Sequence, residues 1–177
     1  MWALVENNSV TRVYTRPTAI TVGDINYPQN IMSMWTASEL EAIGIYEVVS
    51  DGTNLKSSSY YYNGAESFNF ADGVVTRSYG IATAKNLAVL KTQKKEFINE
   101  EAGMLLKPTD WYVLRATEGG TATPSAITTY RAAVRTKSNE MCTLIDNAAN
   151  VDALAALYKY NSDDPPTRPL GEFPELE

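Results

Sequence analysis

The sequence predicts an α+β protein. It reads as an N-terminal β-rich module with one short helix and a β-meander, then an α-helical C-terminal module and an extended Pro-rich tail. Three observations carry this. Turn-forming pairs (Asn7-Asn8, Asn63-Gly64, Asp72-Gly73) punctuate short alternating runs, and all fall before residue 83. From Thr83 the apolar spacing becomes helical. After Tyr160 the chain turns acidic and proline-rich, with four prolines and five acids in its last sixteen residues. The expected divisions are 1–82, 83–160 and 161–177.

In chain order, Trp2–Val5 and Val10–Tyr14 flank Asn7-Asn8 as a hairpin, because asparagine tolerates the positive φ of tight turns. Arg16-Pro17 breaks the strand, and Thr18–Val22 can pair again before Gly23-Asp24. Ile31–Trp35 follows the Tyr27–Asn30 turn and reads as an extended or irregular apolar plug entering the core. Thr36-Ala37-Ser38-Glu39 is a capping box. It opens a short helix with Leu40 and Ile43 inward, and Gly44 closes that helix. Tyr46–Val49 is a strand. Ser59–Tyr62, Glu66–Phe70 and Val74–Tyr79 then form the expected three-stranded meander.

Ala84–Leu106 predicts a helix with Leu87, Leu90, Phe97, Ile98, Ala102 and Leu105 on one side and Lys91, Lys94 and Lys95 facing solvent. The stretch Pro108–Arg135 reads as two short helices meeting across a Gly119-Gly120 corner. The first is capped by Thr109 or Asp110, with Trp111 and Leu114 inward. The second is capped by Thr123, with Pro124 in its first turn and Ile127, Tyr130 and Val134 inward. That stripe continues through Met141, Leu144, Ile145 and Ala148. Asn150 or Asp152 caps a last helix with Leu154, Leu157 and Tyr158 inward.

Composition excludes several functions. The net charge of −6 and pI near 4.8 argue against nucleic acid, which demands a basic face, and against an anionic membrane surface. Histidine is absent, which removes the commonest general base and metal ligand. Cys142 is the single cysteine, so no internal disulfide forms; it reads as a small buried hydrophobe. There is no Walker loop, no GxGxxG and no metal-ligand spacing, and Asp163-Asp164 is a weak calcium candidate. No apolar run approaches membrane-spanning length, and the N-terminus lacks a signal pattern, so the expectation is a soluble, non-secreted protein. No catalytic residue, cofactor or metal is expected.

The candidates for contact with a partner are two. Tyr60, Tyr61 and Tyr62 place rings on both faces of one strand, which is then either buried twice or touching a partner. The C-terminal segment cannot pack a core of its own; if ordered, it lies on something else through Leu170, Phe173 and Leu176. Both flanks are acidic around a slightly basic middle, so self-association is open.

A resemblance goes further. Tyr27-Pro28, Asn30-Ile31, Trp35-Thr36, Glu39-Leu40 and Ala42-Ile43-Gly44-Ile45-Tyr46 make the opening half resemble the N-terminal module of small proteins in tailed-phage tail gene clusters. Asp110-Trp111, Arg115-Ala116, Glu118, Pro124, Tyr130-Arg131 and Val134-Arg135 are similar to the helical segment of tail-fibre-associated or tail-fibre assembly proteins. The resemblance implies no catalytic residue. It implies a bacteriophage protein that contacts a tail fibre or other tail component. That contact is either transient, as an assembly chaperone in the host cytoplasm, or permanent, as a part of the virion tail or baseplate. A host-glycan binding module, with the tyrosines as a stacking surface, is the third reading.

Overall fold

The computed structural model describes residues 1–176 and divides the chain into two compact units, Met1–Thr83 and Ala84–Glu177. The first is β-rich and the second helical, which makes the protein α+β.

In the first unit, β1 (Trp2–Glu6) and β2 (Ser9–Tyr14) form a hairpin whose turn residues Asn7 and Asn8 both take positive φ. β3 (Ile20–Val22) and β4 (Ile25–Tyr27) make a second, smaller hairpin around Gly23-Asp24. The main sheet adds β5 (Ile45–Ser50), β7 (Glu66–Ala71) and β8 (Val74–Tyr79) in the order β2-β1-β5-β8-β7. Its edge strands β2 and β7 approach one another, so the sheet curls towards a barrel. The register places Leu4 opposite Ile45 on the face that packs with Tyr14, Ile20, Ile31, Met32 and Leu40. The other face holds the Tyr46 and Phe70 rings, whose centroids are 4.7 Å apart.

Two expectations fail here. The run after Asn30 is not extended: α1 (Ile31–Met34) is one helical turn, closed by Trp35 N–H donating to the Ile31 carbonyl. It buries Ile31 and Met32 but turns Met34 outward. One turn is too short for apolar spacing to distinguish from a plug. The three-stranded meander also fails. β6 is only Tyr61–Tyr62 and pairs with β9 (Thr83–Ala84) at the end of the unit, while β8 lies parallel to β5. Asn63-Gly64 is therefore not a hairpin turn. The Asn63 side chain bonds both the amide and the carbonyl of Lys56, at 2.9 and 2.8 Å. Gly64 admits the Gly80 backbone, which would lie 2.5 Å from any Cβ there.

The capping box forms as read. Ahead of α2 (Ala37–Glu41), the Thr36 hydroxyl accepts from the Glu39 amide, and Glu39 Oε2 accepts from the Thr36 amide and hydroxyl, both at 2.8 Å. These bonds, the backbone one foremost, hold the Glu39 carboxyl below the usual glutamate range. A depressed folded value means that the contribution is present at neutral pH and lost as pH falls through it. We expect Thr36→Ala to cost about 1 kcal/mol at neutral pH. The difference should shrink on acidification when urea midpoints of the two proteins are compared across pH.

The second unit is built on α3 (Leu87–Leu106) against α5 (Ser125–Asn147), with a 3-10 turn (Lys107–Thr109) and α4 (Asp110–Thr117) between them and α6 (Val151–Ala156) after. Asn86 caps α3 and Asn150 caps α6, each accepting from the amide three residues on. Leu90, Ile98 and Ala102 are buried against Tyr130, Val134, Met141 and Ile145 among others, whereas Leu144 is partly exposed.

The stripe on α3 is rotated from the expected one. Phe97 points outward, and the three lysines lie beside neighbouring elements rather than in solvent. Lys91 Nζ donates to the Asp146 carbonyl, Lys95 Nζ pairs with Asp146 Oδ1 at 2.7 Å, and the Lys94 ammonium sits 4.6 Å from the Tyr158 ring. Lysine stems are apolar and can cover a helix flank while the head finds a partner, so lysine does not mark the solvent face.

Candidate protein-interaction surface

The surface that stands out is α4. Its start is fixed from outside the helix. Thr109 is buried and does not cap; its hydroxyl donates to the Leu106 carbonyl at 2.7 Å and accepts from Arg131 Nη1 at 2.6 Å. The same nitrogen reaches the Leu106 carbonyl at 3.0 Å and Asp110 Oδ1 at 2.8 Å. Arg131 is itself buried on α5, one residue after Tyr130. Thr123 does not cap α5 either: its hydroxyl donates to the Tyr112 carbonyl at 3.3 Å, and Pro124 takes the cap position. Gly119, at φ +83°, ends α4, and Gly120 leaves room for the Arg115 stem, whose Cγ would lie 2.8 Å from a Cβ at 120.

α4 buries none of its eight residues, although it carries Trp111, Tyr112, Val113 and Leu114. Trp111 is 50% exposed and Leu114 59%. The two helices expected to face each other across the Gly-Gly corner therefore do not do so. α5 turns its apolar stripe to α3, and nothing among the described residues covers the stripe of α4. On it, the Trp111 and Tyr112 ring centroids are 3.8 Å apart, and the Arg115 guanidinium carbon lies 4.8 Å and 5.6 Å from them. Arg115 Nε is buried without a hydrogen-bond partner, so the ring faces are what hold that head. Trp, Tyr and Arg are the residue types that dominate contact energies between proteins, and contiguous exposed apolar surface marks such contacts. Sequence reasoning found Trp111 and Leu114 but placed them inward. It missed Arg131, whose only trace is a cation set within an apolar stripe.

The residues expected to meet a partner are divided. Tyr61 is buried in its own unit with the Lys56 ammonium 4.4 Å from its ring; Tyr60 is partly buried, which pushes its phenol up; Tyr62 is 66% exposed. The strand is thus buried on one face and open on the other. Leu170 is fully buried, and Phe173 packs on Ala102, Tyr130 and Val134. Both contact this chain's own helices: Leu170 is wholly enclosed, whereas Phe173 keeps part of its ring exposed. Leu176 remains 47% exposed beside a groove of about 420 Å³ along α5. Before them the segment is not extended. Asn161 staples a compact loop by bonding Asp163 and the amide and hydroxyl of Thr167.

Cys142 is half-buried rather than buried, its thiol pushed up by that burial and its sulfur 3.9 Å from Asn99 Oδ1. Among the described residues, no three His, Cys, Asp or Glu side chains stand together as a metal ion would require. Nor is any helix long and apolar enough to cross a membrane. Compared with known proteins, the chain matches no protein family, no curated protein and no solved structure.

Proposed function

We propose that this chain is a non-enzymatic tail protein of a tailed bacteriophage that acts by contact with another protein. In this reading it is a tail-fibre assembly chaperone or fibre-associated accessory protein working in the host cytoplasm. The phage assignment rests on the resemblance of residues 2–48 and of the Asp110–Arg135 stretch described above. The contact mode rests on one observation: α4 presents Trp111, Val113 and Leu114 outward, each about half exposed among the described residues.

The transient reading is favoured over a permanent virion part by the C-terminal segment. A permanent virion part would lay its proline-rich arm on a neighbour. Leu170 is instead buried and Phe173 partly buried on Ala102, Tyr130 and Val134, as in a protein that folds alone and lets go.

Mass spectrometry of purified particles tests the choice: stoichiometric presence overturns the chaperone, and absence supports it. The contact itself is tested by Trp111→Ser with Leu114→Ser. Trp111 stacks with Tyr112 and Arg115, so the two changes should lower the unfolding free energy by about 1 kcal/mol while the chain stays folded. Co-purification with the fibre should fall at least tenfold, as for loss of a hot spot worth about 2 kcal/mol. Unchanged co-purification sinks α4 as the contact surface.

A further inference from the structure

The first unit carries a cleft of about 360 Å³, lined by Tyr27, Pro28, Asn30, Ile31, Met34, Trp35 and Glu39. It sits at the small end of ligand pockets, with room for one long side chain. Its walls are two rings meeting edge to face, Tyr27 and Trp35, with centroids 5.7 Å apart and planes at 79°. Met34 stands at the rim, its sulfur held by Asn30 Nδ2 at 3.5 Å. At the rim too is a carboxylate with a fixed position. Glu39 Oε2 accepts from the Thr36 amide and hydroxyl, while Oε1 has no hydrogen bond among the described residues.

This combination selects for positive charge. Ring faces attract a cation, more so as it loses water, and an oriented carboxylate oxygen supplies the matching acceptor. The surroundings agree: Met1–Thr83 has eight acidic side chains against four basic ones. None of those four (Arg12, Arg16, Lys56 and Arg77) lines the cleft, so its carboxylate is not neutralised from within the wall. Among cations, a planar guanidinium stacks on rings and bonds a carboxylate in one pose, which a compact ammonium cannot. Because the capping box already fixes Glu39, little order is lost on binding.

We propose that this cleft receives an arginine side chain of a partner protein, with the guanidinium against Tyr27 and Trp35 and bonded to Glu39 Oε1. The inference does not depend on the tail-fibre reading or on α4, which lies in the other unit.

The test uses the full chain, nitrogen-15 labelled, titrated with N-acetyl-arginine methylamide and, separately, with the neutral isostere N-acetyl-citrulline methylamide. The expected result is a saturable millimolar shift of the Trp35 indole N–H and of backbone amides between residues 27 and 39, with arginine only. Glu39→Gln removes the charge but keeps the fold, because glutamine at that position still closes a capping box. It should weaken arginine binding roughly tenfold, the difference between a charge-assisted and a neutral hydrogen bond. Trp35→Leu should weaken it comparably. No saturable shift, an equal response to citrulline, or undiminished binding by Glu39→Gln overturns the proposal.

Discussion

Replacing Arg131 with alanine is expected to destabilise the helical unit by about 3 kcal/mol, the range for removing one partner of a buried polar cluster. The size depends on which bonds matter. Asp110 is 61% exposed, and an ion pair with one partner in water contributes about 1 kcal/mol or less. The bonds to Thr109 and to the Leu106 carbonyl are shielded, and so is the arginine stem beside Tyr130. Asp110→Asn should therefore cost well under half of Arg131→Ala in urea unfolding. Arg131→Met, which keeps the stem and loses the head, should fall between them. Hydrogen exchange gives a second readout: amides of 107–117 should open in Arg131→Ala, because that head is what ties the start of α4 to α5. Equal losses for Asp110→Asn and Arg131→Ala would reverse the assignment and put the energy in the ion pair.

What the sequence discloses in the first unit is what is locally encoded. Asn7-Asn8 and Asp72-Gly73 form turns because positive φ is a property of a few adjacent residues. The Thr36–Glu39 box forms because its two halves are three residues apart. Asn63-Gly64 carries the same local signal and yet makes no hairpin. Its asparagine serves Lys56 and its glycine serves the Gly80 backbone, sixteen residues on. Which strand pairs with which is decided by such distant contacts. Hence β8 beside β5, in parallel, could not be read from alternation alone.

The interaction surface illustrates the same limit. Helical spacing correctly gathers Trp111 and Leu114 on one side of α4, but spacing gives a face and not its neighbour. α3 and α5 are 20 and 23 residues long and satisfy each other's apolar stripes, leaving the eight-residue α4 without cover. The rotated stripe of α3 has a related cause. Charge alone places Lys91, Lys94 and Lys95 in water, whereas Asp146 and the Tyr158 ring draw them onto the packed flank.

Leu170→Ala should be the other large loss, about 3 kcal/mol, from the transfer and cavity terms of a fully buried leucine. Its consequence should be local as well as global. A segment this polar cannot bury a core by itself, and ordering its backbone costs about 1–2 kcal/mol per residue. It is held because it borrows the core of the helices. Leu170 fills that core and donates its amide to the Leu157 carbonyl at 3.0 Å, and Phe173 follows onto Ala102, Tyr130 and Val134. Arg168 pairs with Glu172 at 2.7 Å, and Tyr160 donates to the same carboxylate at 2.8 Å. Four prolines lower the freedom that the unfolded segment has to lose. Those surface bonds are individually weak and depend on Leu170 staying seated. Limited proteolysis should therefore cut Leu170→Ala between residues 161 and 176 well before the parent protein. Leu176→Ala, at a 47% exposed position, should be cut no faster and lose less than about 0.5 kcal/mol. Were Leu170→Ala as resistant as the parent, the anchor would have to be Phe173 instead.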